Sequence, residues 1–130
     1  MIQFAYTILY VSDVRKSVEF YSRAFGFDVK FIAPGDDYAE LLTGNTTLSF
    51  ASHSLANSNL KDGFQESTPG AKPFGIELGF ATRDVEAAVN KAFAEGASLV
   101  EKPKEKPWGQ VVAYVRDPEG FLIELCTPMN

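Results

Sequence analysis

The chain has 130 residues, enough for one compact domain or for two small halves sharing a core, and 45% of them are hydrophobic. Its net charge of −5, with no basic cluster, argues against nucleic-acid binding, and no apolar run approaches the roughly 20 residues of a membrane span. A single cysteine, Cys126, excludes an internal disulfide and fits a reducing cytoplasm.

The chain opens directly on strand-like sequence, so no secretory signal is expected. Residues 4–11 (FAYTILYV) are β-branched and aromatic and predict a strand. Ser12 or Asp13 then caps a helix whose apolar stripe is Val14, Val18, Tyr21 and Phe25, closed by Gly26. Residues 28–33 and 38–42 predict a hairpin around Pro34-Gly35-Asp36-Asp37, and 46–51 a further strand after Gly44-Asn45. Residues 52–73 are rich in Ser, Asn, Gly and Lys with little periodicity, which predicts a long linker and surface excursion.

The same order then returns. Residues 74–81 predict a strand, and Asp84 caps a helix with Val85, Ala88, Val89, Ala92 and Phe93 on one face, closed by Gly96. A short strand over 98–102, a loop over 103–109 and a hairpin of 111–116 with 121–127 follow, the last around Asp117-Pro118-Glu119-Gly120. Residues 11–27 (VSDVRKSVEFYSRAFGF) and 81–97 (ATRDVEAAVNKAFAEGA) run in parallel from strand end through Asp-Val to Phe and Gly. The reading is α+β: a single domain 1–130 holding a βαβββ unit over 2–52, an excursion over 53–73 and a second βαβββ unit over 74–128.

Two tandem βαβββ units, each helix opening on Asp-Val, together with the closing stretch WGQVVAYVRDPEGFLIEL, resemble the vicinal oxygen chelate superfamily. That superfamily includes glyoxalase I, extradiol dioxygenases, fosfomycin-resistance enzymes and bleomycin-binding proteins. The resemblance implies curled sheets that form a cup around a ligand, commonly in a homodimer. In metal-dependent members the first and last strand of each unit supply up to four ligands. The first-strand position, seven residues before the helix-capping Asp, falls on Tyr6 and Glu77. The last-strand position, four residues after the turn Gly, falls on Glu124, and matching the hairpins places Ser49 as its counterpart.

This set implies poor metal chemistry, because zinc-type ions prefer imidazole, thiolate and carboxylate and only Glu77 and Glu124 qualify. No cofactor is expected. If a divalent metal binds, Glu77, Glu124 and the lone histidine, His53, are the candidates, a water-rich Mg-like ion being the weaker alternative.

Strand alternation extends the face: Phe4, Ile8 and Tyr10 join Tyr6, while Gly75, Gly79 and Ala81 join Glu77. Thr47 and Ala51 join Ser49, and Leu122 and Cys126 join Glu124, leaving Leu9, Val11, Ile123 and Leu125 to pack under the helices. Trp108 reads either as a lid aromatic, as the resemblance implies, or as a loop anchor. Tyr114 is a ligand candidate that can face either way, and Cys126 reads as a small packing residue rather than a nucleophile. Two confined carboxylates should raise one another's pKa unless a cation binds, although backbone donors or Arg116 could satisfy them locally.

The first functional reading is thus a metal-free protein of the bleomycin-resistance-like branch, binding a small organic, cationic molecule through Tyr6, Ile8, Tyr10, Ser49, Glu77, Trp108, Tyr114 and Glu124. One alternative is a divalent-metal lyase, isomerase or dioxygenase resembling glyoxalase I. The other is a metal-free enzyme with Glu77 or Glu124 as general base. Fosfomycin-type chemistry is disfavoured, since few of these positions are basic. The expected setting is a cytoplasmic homodimer with a small-molecule ligand and neither nucleic-acid nor membrane partners.

Overall fold

The computed structural model describes residues 1–129 and divides into two compact units, Met1–Glu66 and a second beginning at Ser67. The first unit runs β1 (Tyr6–Val11), α1 (Val14–Phe25), β2 (Asp28–Ile32), β3 (Tyr38–Leu42), β4 (Thr47–Ser52) and α2 (His53–Asn59). Its sheet has the order β1-β4-β3-β2, with β1 parallel to β4 and the other pairs antiparallel. The second unit runs β5 (Glu77–Ala81), α3 (Val85–Ala94), β6 (Ser98–Glu105), β7 (Val111–Arg116) and β8 (Leu122–Cys126). Its order, β5-β8-β7-β6, repeats that of the first, including the parallel pair. The fold is α+β, two βαβββ units with curled, unclosed sheets, as the sequence repeat predicts.

The helices form where the sequence supplies their ends. The Asp13 carboxylate accepts from the Lys16 amide at 3.1 Å, and Gly26, at φ 77°, closes α1 by donating its N–H to the Ser22 carbonyl. Asp84 caps α3 in the same way, accepting from the Ala87 amide at 3.0 Å. Val14, Val18, Tyr21 and Ala24 of α1 are buried, as are Leu9, Val11, Leu41 and Phe50 of the sheet, and the Tyr21 ring lies 5.1 Å from that of Phe50. In α3 the buried stripe is Val85, Val89 and Ala92. Phe93 does not join it: at about 100° per residue it lies at the stripe's margin, and it stays 66% exposed.

The strands begin later than their hydrophobic runs, for one reason. Strand β1 starts at Tyr6 rather than Phe4 because its partner β4 starts at Thr47, after the Gly44 turn. Strand β5 starts at Glu77 rather than Phe74 because β8 starts at Leu122. Phe4 and Ile76, without a strand beside them, are 71% and 72% exposed. Conversely, β6 continues to Glu105, through Pro103, where a loop was expected. It is an edge strand, so the amide that proline lacks is not missed, and two register shifts accommodate it.

The excursion over 53–73 is not wholly irregular. Ser52 caps the short helix α2 by accepting from the Leu55 amide at 3.0 Å. Only Ala56 of α2 is buried, and seven residues with one apolar contact leave too little pattern to read as a helix. The end of the excursion is strapped to the β7–β8 turn. Ser67 donates its hydroxyl to the Glu119 carbonyl at 2.9 Å, and Arg116 donates Nε to the Gly120 carbonyl and Nη2 to the Thr68 carbonyl. Asp117 holds the turn itself, accepting from the amides of Glu119 and Phe121 at 2.9 Å each. Among the described residues no helix is long and apolar enough to cross a membrane.

Candidate functional site

In the second unit the face turned away from α3 carries the chemistry. Strand pairing aligns Gly79, Glu124, Tyr114 and Glu101 in one row, with Glu77 and Leu122 in the next toward the start of β5 and Ala81, Cys126 and Val112 in the next toward its end. Side chains of directly paired residues share a face, so Glu77, Glu124, Tyr114 and Cys126 converge. Tyr114 donates its hydroxyl to Glu124 Oε1 at 3.0 Å. Gly79 contributes no side chain, and even an added Cβ would come no nearer than 4.0 Å to Glu124 Oε2, so the carboxylate is open on that flank. Among the described residues no basic side chain pairs with either glutamate; Arg116 is engaged by carbonyl oxygens instead.

The electrostatics follow from this crowding. Partial burial, and then the charge of Glu124, push the Glu77 carboxyl above the usual carboxylate range. Burial, the hydrogen bond to Glu124 and the two negative charges push Tyr114 up to about 12. Burial and the neighbouring Glu124 also raise the Cys126 thiol, whose Sγ lies 3.8 Å from the Phe80 carbonyl it donates to. A thiol kept protonated is a poor nucleophile.

The raised carboxyl carries a stability consequence with a definite sign. Folded protein holds the Glu77 proton more tightly than unfolded chain does, so this contribution is complete below the ordinary value of 4.5 and is lost as pH rises through the higher folded value. Glu77→Gln is therefore expected to raise the melting temperature at pH 7 and to leave it unchanged at pH 4. Paired thermal melts at the two pH values check this, and an equal shift at both would contradict it.

The first unit arranges its polar groups differently. Tyr6 and Ile8 are exposed on the corresponding face, at 53% and 42%. Tyr10 is not an open aromatic surface: Phe64, from the segment after α2, packs against it edge to face at 4.8 Å. Ser49 pairs with Ile8 as Glu124 pairs with Gly79, but it is fully buried and its hydroxyl is taken by Tyr38 at 3.2 Å. His53 opens α2 with Nδ1 3.4 Å from Glu66 Oε2 and its ring 5.6 Å from Phe64. Trp108, in the second unit, is held as a loop anchor. Its Nε1 donates to Gln110 Oε1 at 2.9 Å, Gln110 is tied to the Thr127 carbonyl, and its ring is left 61% exposed.

The fold agrees with what comparison of the chain finds. The sequence profile of the Glyoxalase/Bleomycin resistance protein/Dioxygenase superfamily matches residues 3–125. The chain belongs to this superfamily. It is 29% identical over 118 residues to the uncharacterized protein YraH of Bacillus subtilis (strain 168), covering 90% of this chain and 91% of YraH. It is 27% identical over an alignment of 133 residues to the lactoylglutathione lyase GLX1 of Arabidopsis thaliana, covering 95% of this chain and spanning 43% of that enzyme's length. The crystal structure of a glyoxalase-related enzyme from Fulvimarina pelagi superposes with a TM-score of 0.83 at 21% identity, over 98% of this chain and 89% of that one.

Some superfamily members use a metal, and the residues present do not fit such a centre. Among the described residues no three or more His, Cys, Asp and Glu side chains are placed so that they could together hold a metal ion. The positions that the resemblance marks hold two carboxylates, a phenol and a buried hydroxyl already bonded to Tyr38.

Polar side chains outside those positions are also brought together. Tyr38, Glu40 and Lys30 form a cluster that sequence reasoning missed. Tyr38 donates to Glu40 Oε2 at 2.7 Å, and Lys30 Nζ lies 3.6 Å from Glu40 Oε1. The available signal was parity: in YAELL, Tyr38 and Glu40 alternate with the buried Ala39 and Leu41, which places a glutamate on the same face as Ser49. Each unit thus has a phenol bonded to a carboxylate, within one strand in the first and across two strands in the second.

Proposed function

We propose that this protein is a small-molecule binder of the glyoxalase/bleomycin-resistance type, metal-free, taking an organic cation on the Glu77–Glu124–Tyr114 face. The observation that carries this reading is the pair of carboxylates on one face, with no basic partner among the described residues and with the Glu77 carboxyl raised by burial and then by its neighbour. A ligand ammonium or amidinium group relieves that repulsion and gains charge-assisted hydrogen bonds. The open flank at Gly79 gives it access, and the apolar Leu122 and Ala81 on the same face suit its hydrocarbon part. We place the protein in the cytoplasm as a homodimer.

The likeness to a lactoylglutathione lyase favours a second reading. In it a glutamate acts as general base, Glu77 being the candidate because burial, and then the charge of Glu124, raise its pKa. A thermal-shift panel tests the binding-protein reading. Organic ammonium compounds at 100 times their Kd are expected to stabilise the protein by about 2.7 kcal/mol. Divalent Ni, Zn and Mn are expected to leave the melting temperature unchanged, and elemental analysis to find no stoichiometric metal. Stoichiometric metal, or strong stabilisation by these ions with none by ammonium compounds, would overturn the binding-protein reading.

A further inference from the structure

We propose that residues 57–66 form a hinged cover that closes on Tyr10 at the end of β1, and that His53 keeps its closure weak. The segment is tethered at both ends. Ser52 caps α2 and Ala56 anchors it, while Ser67, the first residue of the second unit, donates its hydroxyl to the Glu119 carbonyl at 2.9 Å. Between these anchors every residue from Asn57 to Glu66 is exposed except Phe64. The backbone hydrogen bonds in this stretch are local: Leu60 donates to the Ala56 carbonyl at 3.0 Å and Gly63 to the Leu60 carbonyl at 2.9 Å. Few buried contacts and exposed local bonds mark a segment that opens without the rest of the fold.

What holds the cover shut is one ring. Gly63, at φ 73°, turns the chain back, and Phe64 packs against both the Tyr10 ring at 4.8 Å and the His53 ring at 5.6 Å. The charged contact, from His53 Nδ1 to Glu66 Oε2 at 3.4 Å, is long, and Glu66 is 51% exposed, so it adds little. His53 also works against closure. Its Nε2 is shielded from solvent and has no hydrogen-bond partner among the described residues. Beside the Glu66 carboxylate the ring proton belongs on Nδ1, which leaves Nε2 a buried acceptor without a donor. A buried polar atom left unpaired is destabilising, and lifting the cover lets water reach it. Phe64 thus occupies the surface that Tyr10 would otherwise present, and it is poised to leave. This device lies wholly within the first unit and is independent of the carboxylates of the proposed function.

The test is native-state proteolysis of the full chain by chymotrypsin, with initial rates read by mass spectrometry. Cleavage after Phe64 requires its ring to leave Tyr10 and enter the protease pocket, so it reports the opened population. Cleavage after Tyr21, which is fully buried, reports global unfolding. Wild-type protein is expected to be cut after Phe64 about a hundredfold faster than after Tyr21. His53→Phe keeps a ring against Phe64 and removes the unpaired nitrogen, and it is expected to slow the Phe64 cut about tenfold. Phe64→Ala is expected to raise severalfold the paramagnetic broadening of the Tyr10 ring signals by a soluble nitroxide. Equal initial rates at Phe64 and Tyr21, an unchanged or faster Phe64 cut in His53→Phe, or an unchanged Tyr10 signal in Phe64→Ala would each overturn the proposal. Should His53→Phe fail to fold, the wild-type rates and the Phe64→Ala spectrum decide.

Discussion

Glu124→Gln is expected to weaken the binding of organic ammonium ligands about tenfold or more, while leaving the protein folded. The amide oxygen still accepts from the Tyr114 hydroxyl, which sits 3.0 Å from Oε1 in the native protein, so the sheet keeps its cross-strand bond. What is lost is the negative charge, and hydrogen bonds to charged groups contribute about 1.5–3 kcal/mol each. A second readout needs no ligand. The hydrogen bond to a charged carboxylate and the charge itself are among the causes that push Tyr114 up to about 12, after burial. In Glu124→Gln its titration is expected to move down toward the ordinary 10.0, followed by ¹³C NMR of the tyrosine Cζ. Glu77 loses the charge of its neighbour and should titrate lower as well. A variant with wild-type affinity and an unmoved Tyr114 would remove the carboxylate pair from the site.

The largest expected loss of stability comes from Gly120→Ala. Gly120 sits at φ +96°, and a Cβ there would lie 2.6 Å from the Thr68 carbonyl oxygen, 2.7 Å from its carbon and 2.8 Å from Arg116 Nη2. The Thr68 carbonyl cannot simply retreat. Arg116 holds it, and Ser67 beside it is bonded to Glu119 of the same turn. The left-handed backbone costs a non-glycine residue about 1–2 kcal/mol and overpacking about 1–3 more, so the total expected is about 2–5 kcal/mol. Gly109→Ala is the control within the same unit, since Gly109 has φ +90° and nothing within 4 Å. Urea denaturation should show the Gly120 variant clearly less stable than the Gly109 variant. Equal midpoints would mean that the strap over 67–69 does not close on the turn in solution.

Tyr6, Ser49, Glu77 and Glu124 illustrate how far sequence reasoning reaches into a site. The alternation of β1 and β5 places Tyr6 and Glu77 on the exposed face opposite Leu9 and Leu78, and a two-residue period is enough to derive that. The same period cannot say whether a residue on that face is available. Ser49 is fully buried and bonded to Tyr38, and Tyr10 lies under Phe64, because residues far along the chain return to cover them. Phe64 belongs to a segment whose composition gave no reason to expect it against β1. Arg116 was a possible local partner for the glutamates, but the carbonyl oxygens of Thr68, Pro69 and Gly120 claim its guanidinium.

Local chemistry in the sequence determined the repeated βαβββ order, the caps at Asp13, Gly26 and Asp84, and the side of each strand that packs under a helix. These depend on residues within a turn or a few positions of one another, where steric and hydrogen-bonding preferences act directly. Only the tertiary structure decided where β1 and β5 begin, that β6 runs through Pro103, and that Tyr38 and Glu40 meet Ser49. Those outcomes depend on inter-strand register and on edge position, which are set when distant segments pair and which no local pattern encodes.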